Sequence, residues 1–247
     1  IREADIIVIC PGDIYSSLVP NLLVGGMREA LRACKGKKVA ILRYTHISKS
    51  IDEDYLAQYV RSQTQAAEVV ELRTTNPARL DRLWLRGGFP PSFTARGEAD
   101  SLGWRKDFIR TFLERDVPQL GIRIPAAALR RFCSMLAHWH GQTWNSSALA
   151  QSLGVTDHTV RGYLDLLAGT FVVTVRQPWH ENLGKRQVKS PRVYVADTGI
   201  LHALLGIGDR ATLEGHPRCG ASWESFAEAQ VVRRLGAREE ECFFWGT

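Results

Sequence analysis

The chain has 247 residues, 45% hydrophobic and 23% charged, with a formal net charge of +6, and these proportions exclude a disordered or low-complexity chain. No apolar run reaches the roughly 20 residues of a membrane-spanning helix, and no signal peptide precedes the first strand, so no membrane partner is expected. The five cysteines are scattered and never form a Cys-x-x-Cys pair, which indicates a reducing, cytoplasmic setting and argues against disulfides or a structural zinc site.

The first elements predicted are a buried strand over residues 4–10, an amphipathic helix over 27–34 and a second strand over 38–43. Strand, helix and strand in this order form a βαβ crossover. In open α/β sheets the loop after the first strand lies where ligands bind. The candidate nucleotide-binding residues of this loop are Pro11, Gly12, Asp13, Ser16, Ser17 and Asn21. The loop matches neither the dinucleotide fingerprint nor the P-loop, so a purely structural turn is the alternative.

Residues 4–63, and above all 4–24, resemble the phospholactate transferase and gluconeogenesis-factor family. The family's loop reads Gly-Pro-Gly-Ser-Leu-Tyr-Thr-Ser, followed by Pro-Asn-Leu-Leu. Here Cys10 replaces the first glycine and Asp13 replaces the serine, and the Asp13 carboxylate would repel a phosphate. The resemblance implies a partial Rossmann-like unit over residues 1–63, a nucleotide-linked ligand and a second ligand-side loop at 45–50. Since most of the family's length is absent, transferase activity is not expected.

Residues 64–80 are expected to be a seam or linker, and residues 81–120 a helical connector. Helical spacing predicts that one helix here has an apolar face directed to the core. The residues of that face are Trp104, Phe108, Phe112 and Leu113. The same helix is expected to expose Arg105, Lys106, Arg110 and Glu114. A packing helix is the simplest interpretation of this segment.

Residues 121–197 are predicted to form a winged helix-turn-helix. After a helix near residues 129–136, a short helix ends at Gly154, where glycine accepts a left-handed backbone. Thr156 or Asp157 caps the next helix. The apolar positions of that helix recur at helical spacing and face a core: Val160, Leu164 and Leu167. Strands over 171–177 and 192–197, joined by a basic loop, complete the winged form.

The charge of this segment suggests duplex DNA as its partner. Between residues 120 and 192 there are nine Lys or Arg and three Asp or Glu, a surplus typical of phosphate contact. The residues predicted to read bases in the major groove are Thr156, His158, Thr159 and Arg161. The residues predicted to contact phosphates are Arg176, Lys185, Arg186 and Lys189. Docking to an acidic protein partner is the alternative, because winged helices also bind proteins.

Four sequence motifs that carry a further resemblance follow one another along the chain, at residues 83–90, 108–116, 182–191 and 193–205. Together they make roughly two thirds of the chain similar to the C-terminal half of AAA-type predicted ATPases of bacteria and archaea. The resemblance implies a winged helix followed by a restriction-endonuclease-like domain, which would begin at residue 198 and occupy 198–247. It also implies an N-terminal ATPase module with ATP and Mg²⁺, but the chain contains no Walker A motif. No cofactor is therefore expected here.

The expected fold is thus an α/β chain of several pieces, and the expected function is DNA binding by the non-catalytic region of such an ATPase. A protein-docking module and a nucleotide-binding, transferase-like enzyme are the alternatives. Both ends of the chain look truncated. Two partial families joined between such ends indicate either a composite or misassembled reading frame, or a natural fusion. The sequence does not indicate the oligomeric state.

Catalytic residues are not assigned. In nuclease-like folds a helix acid of the type of Glu224 helps to hold a metal, and Glu224 is the sole weak candidate ligand. Such chemistry needs at least two further ligands, so a solvated acid is the simpler interpretation. The spacing of His138 and His140 does not place both rings on one helix face. Asp197 or Thr198 is expected to cap the helix that starts near Ile200.

Overall fold

The computed structural model describes residues 6–9, 29, 31, 33–34, 37–42, 68–71, 77–121, 124–179 and 190–244. The chain divides into two compact units. The first unit comprises Ile1–Pro77 with Ala227–Val231, and the second comprises Ala78–Phe226 with Val232–Thr247.

The first unit contains a parallel sheet of three strands in the order β1-β2-β3. The strands are β1 (Ile6–Ile9), β2 (Lys37–Leu42) and β3 (Glu68–Glu71). β1 pairs with β2 in the register Ile6↔Lys37, and the backbone between them is helical at residues 29, 31 and 33. Both predicted strands are confirmed with slightly different ends. β3 was not predicted, because it lies within residues 64–80, where a linker was expected.

The second unit begins with helices that precede the helix-turn-helix segment. They are α1 (Pro77–Arg86), α2 (Pro90–Phe93) and α3 (Glu98–Thr111), then a π-helical turn (Phe112–Asp116) and α4 (Val117–Gln119). Leu113 and Val117 are buried, as is Ile109 at the end of α3. The row of Trp104, Phe108 and Phe112 is half-buried, with Trp104 and Phe108 stacked at 5.4 Å between ring centroids.

Three further helices and two antiparallel strands follow. They are α5 (Ala126–His138), α6 (Ser146–Leu153), α7 (Asp157–Gly169), β4 (Val173–Pro178) and β5 (Arg192–Val195). β4 and β5 pair in the register Val173↔Val195. The first strand begins later than predicted, because Phe171 has φ 60° and its side chain is 88% exposed.

The last elements of the described chain are three helices, a 3-10 turn and one strand. They are α8 (Thr198–Leu204), α9 (Arg210–Glu214), α10 (Cys219–Leu235), a 3-10 turn (Glu239–Glu241) and β6 (Phe243–Phe244). β6 pairs with β4 in parallel, so that β4 is the central strand of a sheet with the order β5-β4-β6. The whole is a mixed α/β chain made mostly of helices.

The hydrophobic core of the second unit joins the end of α3, the π-helical turn, α4, α5, α6, α7, β4, β5 and α8. Its most deeply buried members are Leu113, Val117, Leu129, Phe132, Leu136, Ala137, Leu149, Val160, Leu167, Val193 and Leu201. Burial of this apolar surface provides the main driving force for folding. Among the described residues, no helix has the length and apolar character that a bilayer crossing requires.

Candidate functional site

The clearest candidate for a functional surface is the pair of helices α6 and α7, which meet in a tight turn. Asn145 begins α6 by accepting a hydrogen bond from the Ala148 amide at 3.0 Å. Gly154 ends α6 with φ 70° and ψ 33°, a left-handed conformation that glycine adopts at little cost. Thr156 caps α7 by accepting from the Thr159 amide at 3.1 Å. The predicted roles of Gly154 and Thr156 are confirmed.

The inner face of α7 packs into the core. Its buried residues are Val160, Tyr163, Leu164 and Leu167. The Tyr163 ring meets Phe132 of α5 edge-on, with 5.5 Å between ring centroids. Because these side chains point inwards, helical geometry turns the opposite face to solvent. We call that surface the α7 outer face; it consists of Asp157, His158, Arg161, Gly162, Asp165 and Gly169.

The four residues predicted to read bases differ in how available they are. His158 and Arg161 are exposed on the α7 outer face. The hydroxyls of Thr156 and Thr159 lie 2.8 Å apart and bond to one another, and Thr156 also caps the helix. Hydroxyls that are already bonded have less capacity left for a ligand. His158 and Arg161 are therefore the better placed pair.

Arg161 is held by a carboxylate one helical turn earlier. Its Nη2 lies 2.9 Å from Oδ2 of Asp157, while the Arg161 side chain stays 65% exposed. Oδ1 of Asp157 accepts a weak hydrogen bond from Ser147 Oγ at 3.4 Å. The pKa of Asp157 is lowered, chiefly by a hydrogen bond from the Ser146 side chain. Asp157 thus links the first turn of α6 to Arg161.

The structure corrects the prediction for Arg176. It was expected to reach phosphates from the wing, but it is only 5% exposed. Its Nη1 donates to the Glu239 carbonyl oxygen at 3.3 Å and lies 3.3 Å from the Glu239 carboxylate. A guanidinium that is buried and paired in this way is not available to an external anion. No local sequence pattern indicates this pairing, because the two residues are 63 positions apart.

The other described arginines of the basic segment are also engaged. Arg130 pairs with Glu114 at 3.5 Å, Arg131 donates to the Ser152 carbonyl at 3.2 Å, and the Arg192 guanidinium lies over the Phe244 ring. On the α7 outer face itself, two carboxylates (Asp157 and Asp165) accompany one guanidinium. Four further cations of the segment, Arg123, Lys185, Arg186 and Lys189, lie outside the described residues.

Two groups of predicted site residues lie outside the part of the chain that the structure describes. One is the nucleotide-binding group: Pro11, Gly12, Asp13, Ser16, Ser17 and Asn21. The other consists of the remaining phosphate contacts of the wing: Lys185, Arg186 and Lys189. Both groups stay predictions.

A second cluster of polar residues surrounds Arg105 inside the second unit. The sequence predicted an exposed side chain, but Arg105 is 0% exposed. Its Nη1 donates to the carbonyl oxygens of Leu85 and Gly199 at 3.2 and 3.0 Å, and its Nε donates to that of Ser101 at 3.2 Å. Burial lowers the pKa of Arg105, while the charge of Asp197 raises it. The side chain is buried because it satisfies carbonyl groups that lie away from water.

Asp197 connects the loop after α1 to the start of α8. Its Oδ1 accepts from the Ile200 amide at 2.9 Å, which confirms the predicted helix cap. Its Oδ2 accepts from the Gly88 amide at 2.7 Å. Burial raises the pKa of Asp197, and the amide hydrogen bonds oppose that rise. The second bond was not predicted, since nothing in the local pattern places Gly88 beside residue 197.

Two glycines allow this close approach. Gly87 has φ 79°, and a Cβ there would collide with the Asp197 carboxylate. Gly199 lies against the backbone carbonyl of Arg86, where a Cβ would also overlap. The loop after α1 and the start of α8 are therefore packed backbone against backbone.

His202 is one of two buried histidines with a defined tautomer. Its Nδ1 lies 2.9 Å from the Leu85 carbonyl oxygen, and its Nε2 lies 2.7 Å from Ser222 Oγ. Because a carbonyl only accepts, Nδ1 carries the proton and Nε2 accepts from the Ser222 hydroxyl. That hydroxyl also accepts from Trp84 Nε1 at 3.0 Å. Burial lowers the pKa of His202 to about 4, so the ring is neutral at pH 7.

His140 has the opposite tautomer. The Val195 amide donates to its Nδ1 at 3.0 Å, so its Nε2 carries the proton and donates to Ser225 Oγ at 2.9 Å. The Ser225 hydroxyl in turn donates to the Ser222 carbonyl at 3.0 Å. Burial lowers the pKa of His140 to about 3. With both ring nitrogens bonded, this histidine has no lone pair left for a metal.

These buried groups do not form a catalytic site. The distance between Ser222 and His202 is that of a nucleophile and its base, but both residues are 0% exposed, so a substrate cannot reach them. Glu224 is half-buried on α10. Among the described residues, no group of three or more His, Cys, Asp or Glu side chains could hold a metal. The Ser–His pairs therefore stabilise the packing of α8 and α10.

Lowering the pH from 7 to 4.5 is expected to destabilise the second unit. Below their ordinary pKa of 6.5, both histidines take up a proton in the unfolded chain but not in the folded one, where their pKa values are about 3 and 4. Each histidine therefore costs up to about 1.4 kcal/mol per pH unit in that range. The raised pKa of Asp197 acts in the opposite direction once that carboxyl begins to take up a proton.

The measurement is the urea midpoint at pH 7 and 4.5, followed by tryptophan fluorescence. All seven tryptophans lie at or after residue 84, so the signal reports on the second unit. His202→Asn is expected to reduce the pH dependence, whereas the exposed control His138→Gln keeps all of it. A wild-type urea midpoint that is as high at pH 4.5 as at pH 7 would contradict the assignment.

Comparison with protein families divides the chain in a similar way. A model described as a domain of unknown function (DUF8612) matches residues 77–211. A model described as 2-phospho-L-lactate transferase CofD matches residues 1–80. The resemblance of the first part to this transferase family is thereby confirmed. No solved structure matches the chain.

Similar proteins are found in bacteria. Uncharacterized proteins of Mycobacterium tuberculosis and Mycobacterium bovis are each 48% identical over 203 residues, which make up 80% of this chain and 46% of theirs. The chain thus spans less than half the length of these relatives. A gluconeogenesis factor of Halalkalibacterium halodurans is 54% identical over 41 residues, or 17% of this chain and 13% of that protein.

Proposed function

The chain belongs to the family defined by the domain of unknown function DUF8612, and from this premise we propose that its second unit binds duplex DNA through a winged helix-turn-helix. The observation that carries the proposal is the turn between α6 and α7. Gly154 in the left-handed conformation and the Thr156 cap present the first turns of α7 to solvent, with His158 and Arg161 exposed. In helix-turn-helix proteins the corresponding turns enter the major groove.

The wing is the second part of the proposal. After α7 the chain forms the antiparallel pair β4–β5, and the segment between these strands contains Lys185, Arg186 and Lys189. Three cations in one short segment suit the DNA backbone, whose charge supplies most non-specific affinity. This segment, rather than the charge-balanced α7 outer face, would then supply most of the non-specific attraction.

The proposed setting is a longer protein, because the mycobacterial relatives are more than twice as long as the matched region. The resemblance to AAA-type predicted ATPases suggests that an ATP- and Mg²⁺-dependent module forms the rest of such a protein. Within this chain we propose DNA binding without catalysis. We also propose that a restriction-endonuclease-like domain begins at residue 198.

Each of the two alternative functions is supported by a specific observation. Docking to a protein is favoured by the balance of Asp157, Asp165 and Arg161 on the α7 outer face, since such a mixture suits a polar protein surface as well as DNA. A nucleotide-binding role of the first unit is favoured by the match to 2-phospho-L-lactate transferase over residues 1–80. The former predicts a complex that does not depend on DNA; the latter predicts a nucleotide-dependent rise in melting temperature.

The double variant Lys185→Ala/Arg186→Ala is expected to bind random-sequence duplex DNA less tightly and with a weaker salt dependence. Each phosphate contact contributes about 0.9 to the slope of log Kd against log salt, so losing two should lower the slope by roughly 2. The full-length chain would be measured by fluorescence anisotropy between about 50 and 200 mM salt. Arg82→Ala, which removes an exposed arginine from α1, is the control and should keep the wild-type slope. Equal slopes for all three proteins would argue against a DNA-binding wing.

A further inference from the structure

The ion pair between Asp157 and Arg161 suggests which base the proposed DNA-binding helix reads. We propose that Asp157 positions Arg161 to bind one guanine in the major groove, so that the pair determines specificity at a single base pair. This inference rests on the proposed DNA-binding function and deepens it. Asp157 acts here as a positioning residue, since it contacts Arg161 and not the base.

The geometry leaves enough donors on Arg161 for this role. A guanidinium has five N–H groups, and Asp157 takes one from Nη2 at 2.9 Å. Within the described part of the chain, no further hydrogen bond of Arg161 is found. Guanine presents two acceptors in the major groove, N7 and O6, and a guanidinium binds both with two parallel N–H groups. An arginine that keeps 65% of its side chain exposed can reach them.

Asp157 is itself anchored, which separates this pair from an ordinary surface ion pair. A pair one turn apart on an exposed helix stabilises it by only a few tenths of a kcal/mol, because both side chains remain free to move. Here the carboxylate also accepts a hydrogen bond from the Ser146 side chain and a weak one from Ser147 Oγ at 3.4 Å, and both serines lie at the start of the neighbouring helix α6. An anchored acceptor restricts the rotamers of Arg161 and thereby its direction.

The neighbouring residues leave space for a base. Gly162, next to Arg161 on the α7 outer face, has no side chain, and a Cβ there would meet no atom within 4 Å. His158 is exposed on the same face. A base edge could therefore approach Arg161 without a steric obstacle from α7, and a single guanidinium would dominate the contact.

The test compares the full-length wild-type chain with three variants: Asp157→Ala, Arg161→Lys and the control Asp165→Ala. Binding sites are selected from a randomised duplex library, and the best duplex is then compared with its single-base variants by anisotropy. The wild type should prefer G·C at one position by about 5- to 100-fold. Asp157→Ala and Arg161→Lys should lose most of this preference while still binding DNA. Asp165→Ala, which removes an equal charge from the same face, should retain it.

The outcomes separate the positioning role of Asp157 from DNA binding itself. If all four proteins bind and Asp157→Ala keeps the wild-type base preference, the positioning role is wrong while DNA binding stands. If the wild type selects no site and binds no duplex at low salt, the proposed function fails and this inference with it. Circular dichroism checks that Asp157→Ala keeps its helix content, because the residue also lies in the first turn of α7.

Discussion

Replacing Arg105 with alanine is expected to destabilise the second unit by at least about 3 kcal/mol. The variant would remove three hydrogen bonds from the guanidinium, to the carbonyls of Leu85, Ser101 and Gly199, although the Leu85 carbonyl keeps the hydrogen bond from His202 Nδ1. A hydrogen bond to a charged group contributes about 1.5–3 kcal/mol, and the lost side-chain volume adds a cavity. Urea unfolding followed by tryptophan fluorescence would measure the change.

Two further variants make this prediction specific. Arg105→Lys keeps the positive charge, but lysine cannot span two carbonyls with one planar group. Its free energy of unfolding should therefore be about 1–2 kcal/mol lower than that of the wild type. This variant provides a measurable case if the alanine variant does not fold. Arg110→Ala is the control on the same helix, because Arg110 is exposed and pairs only with Asp107 at 2.8 Å; it should change stability by less than about 0.5 kcal/mol. Equal effects of Arg105→Ala and Arg110→Ala would show that the guanidinium is not structural.

Replacing Gly199 with alanine is expected to cost about 3 kcal/mol or more, at the upper end of overpacking effects. The new Cβ would overlap the carbonyl group of Arg86, and a backbone atom cannot move aside as a flexible side chain can. The shift would also disturb the carbonyl of Gly199 that Arg105 binds. The readout is the same urea midpoint at pH 7.

Gly103→Ala is the matched control for this substitution. Gly103 lies within α3, and a Cβ there would meet nothing within 4 Å, so helix propensity alone should stabilise the variant by about 0.5–1 kcal/mol. Opposite signs for the two substitutions are therefore expected. A Gly199→Ala protein as stable as the wild type would mean that the loop after α1 and α8 are not packed as closely as described.

The local features of the helix-turn-helix segment could be predicted from sequence, because each depends on neighbouring residues. Gly154 ends α6, Thr156 caps α7 and Asp197 caps α8, and each of these assignments rests on a residue type within a few positions of a helix end. The buried positions of α7 followed from its helical spacing in the same way.

The role of Arg105 could not be predicted from apolar spacing. That spacing selects Trp104, Phe108 and Phe112 as the inner face of the helix and places Arg105 on its exposed side. In the structure Ser101, Arg105 and Ile109 lie four residues apart along the buried side of α3. Burial of a charge depends on carbonyl partners that are up to 94 residues away, and no local pattern encodes these.

The surplus of positive charge over residues 120–192 did not predict which cations are available on the proposed DNA-binding surface, for a similar reason. Counting treats every Lys or Arg as available, whereas Arg176 is buried against Glu239 and Arg130 pairs with Glu114. Both acids lie outside the segment that was counted, at residues 239 and 114, so the surplus of that segment overestimated its free positive charge. The proposal of DNA binding therefore rests on fewer positions: Arg161 and the cations of the wing.

The most direct test of the proposed function is a salt titration of the full-length chain with random-sequence duplex DNA. Binding at about 50 mM salt that weakens by roughly 10- to 100-fold at 200 mM is expected, since the three cations of the wing would contact phosphates. A complex whose affinity does not depend on salt, or no binding at 50 mM, would contradict DNA binding and favour docking to a protein partner.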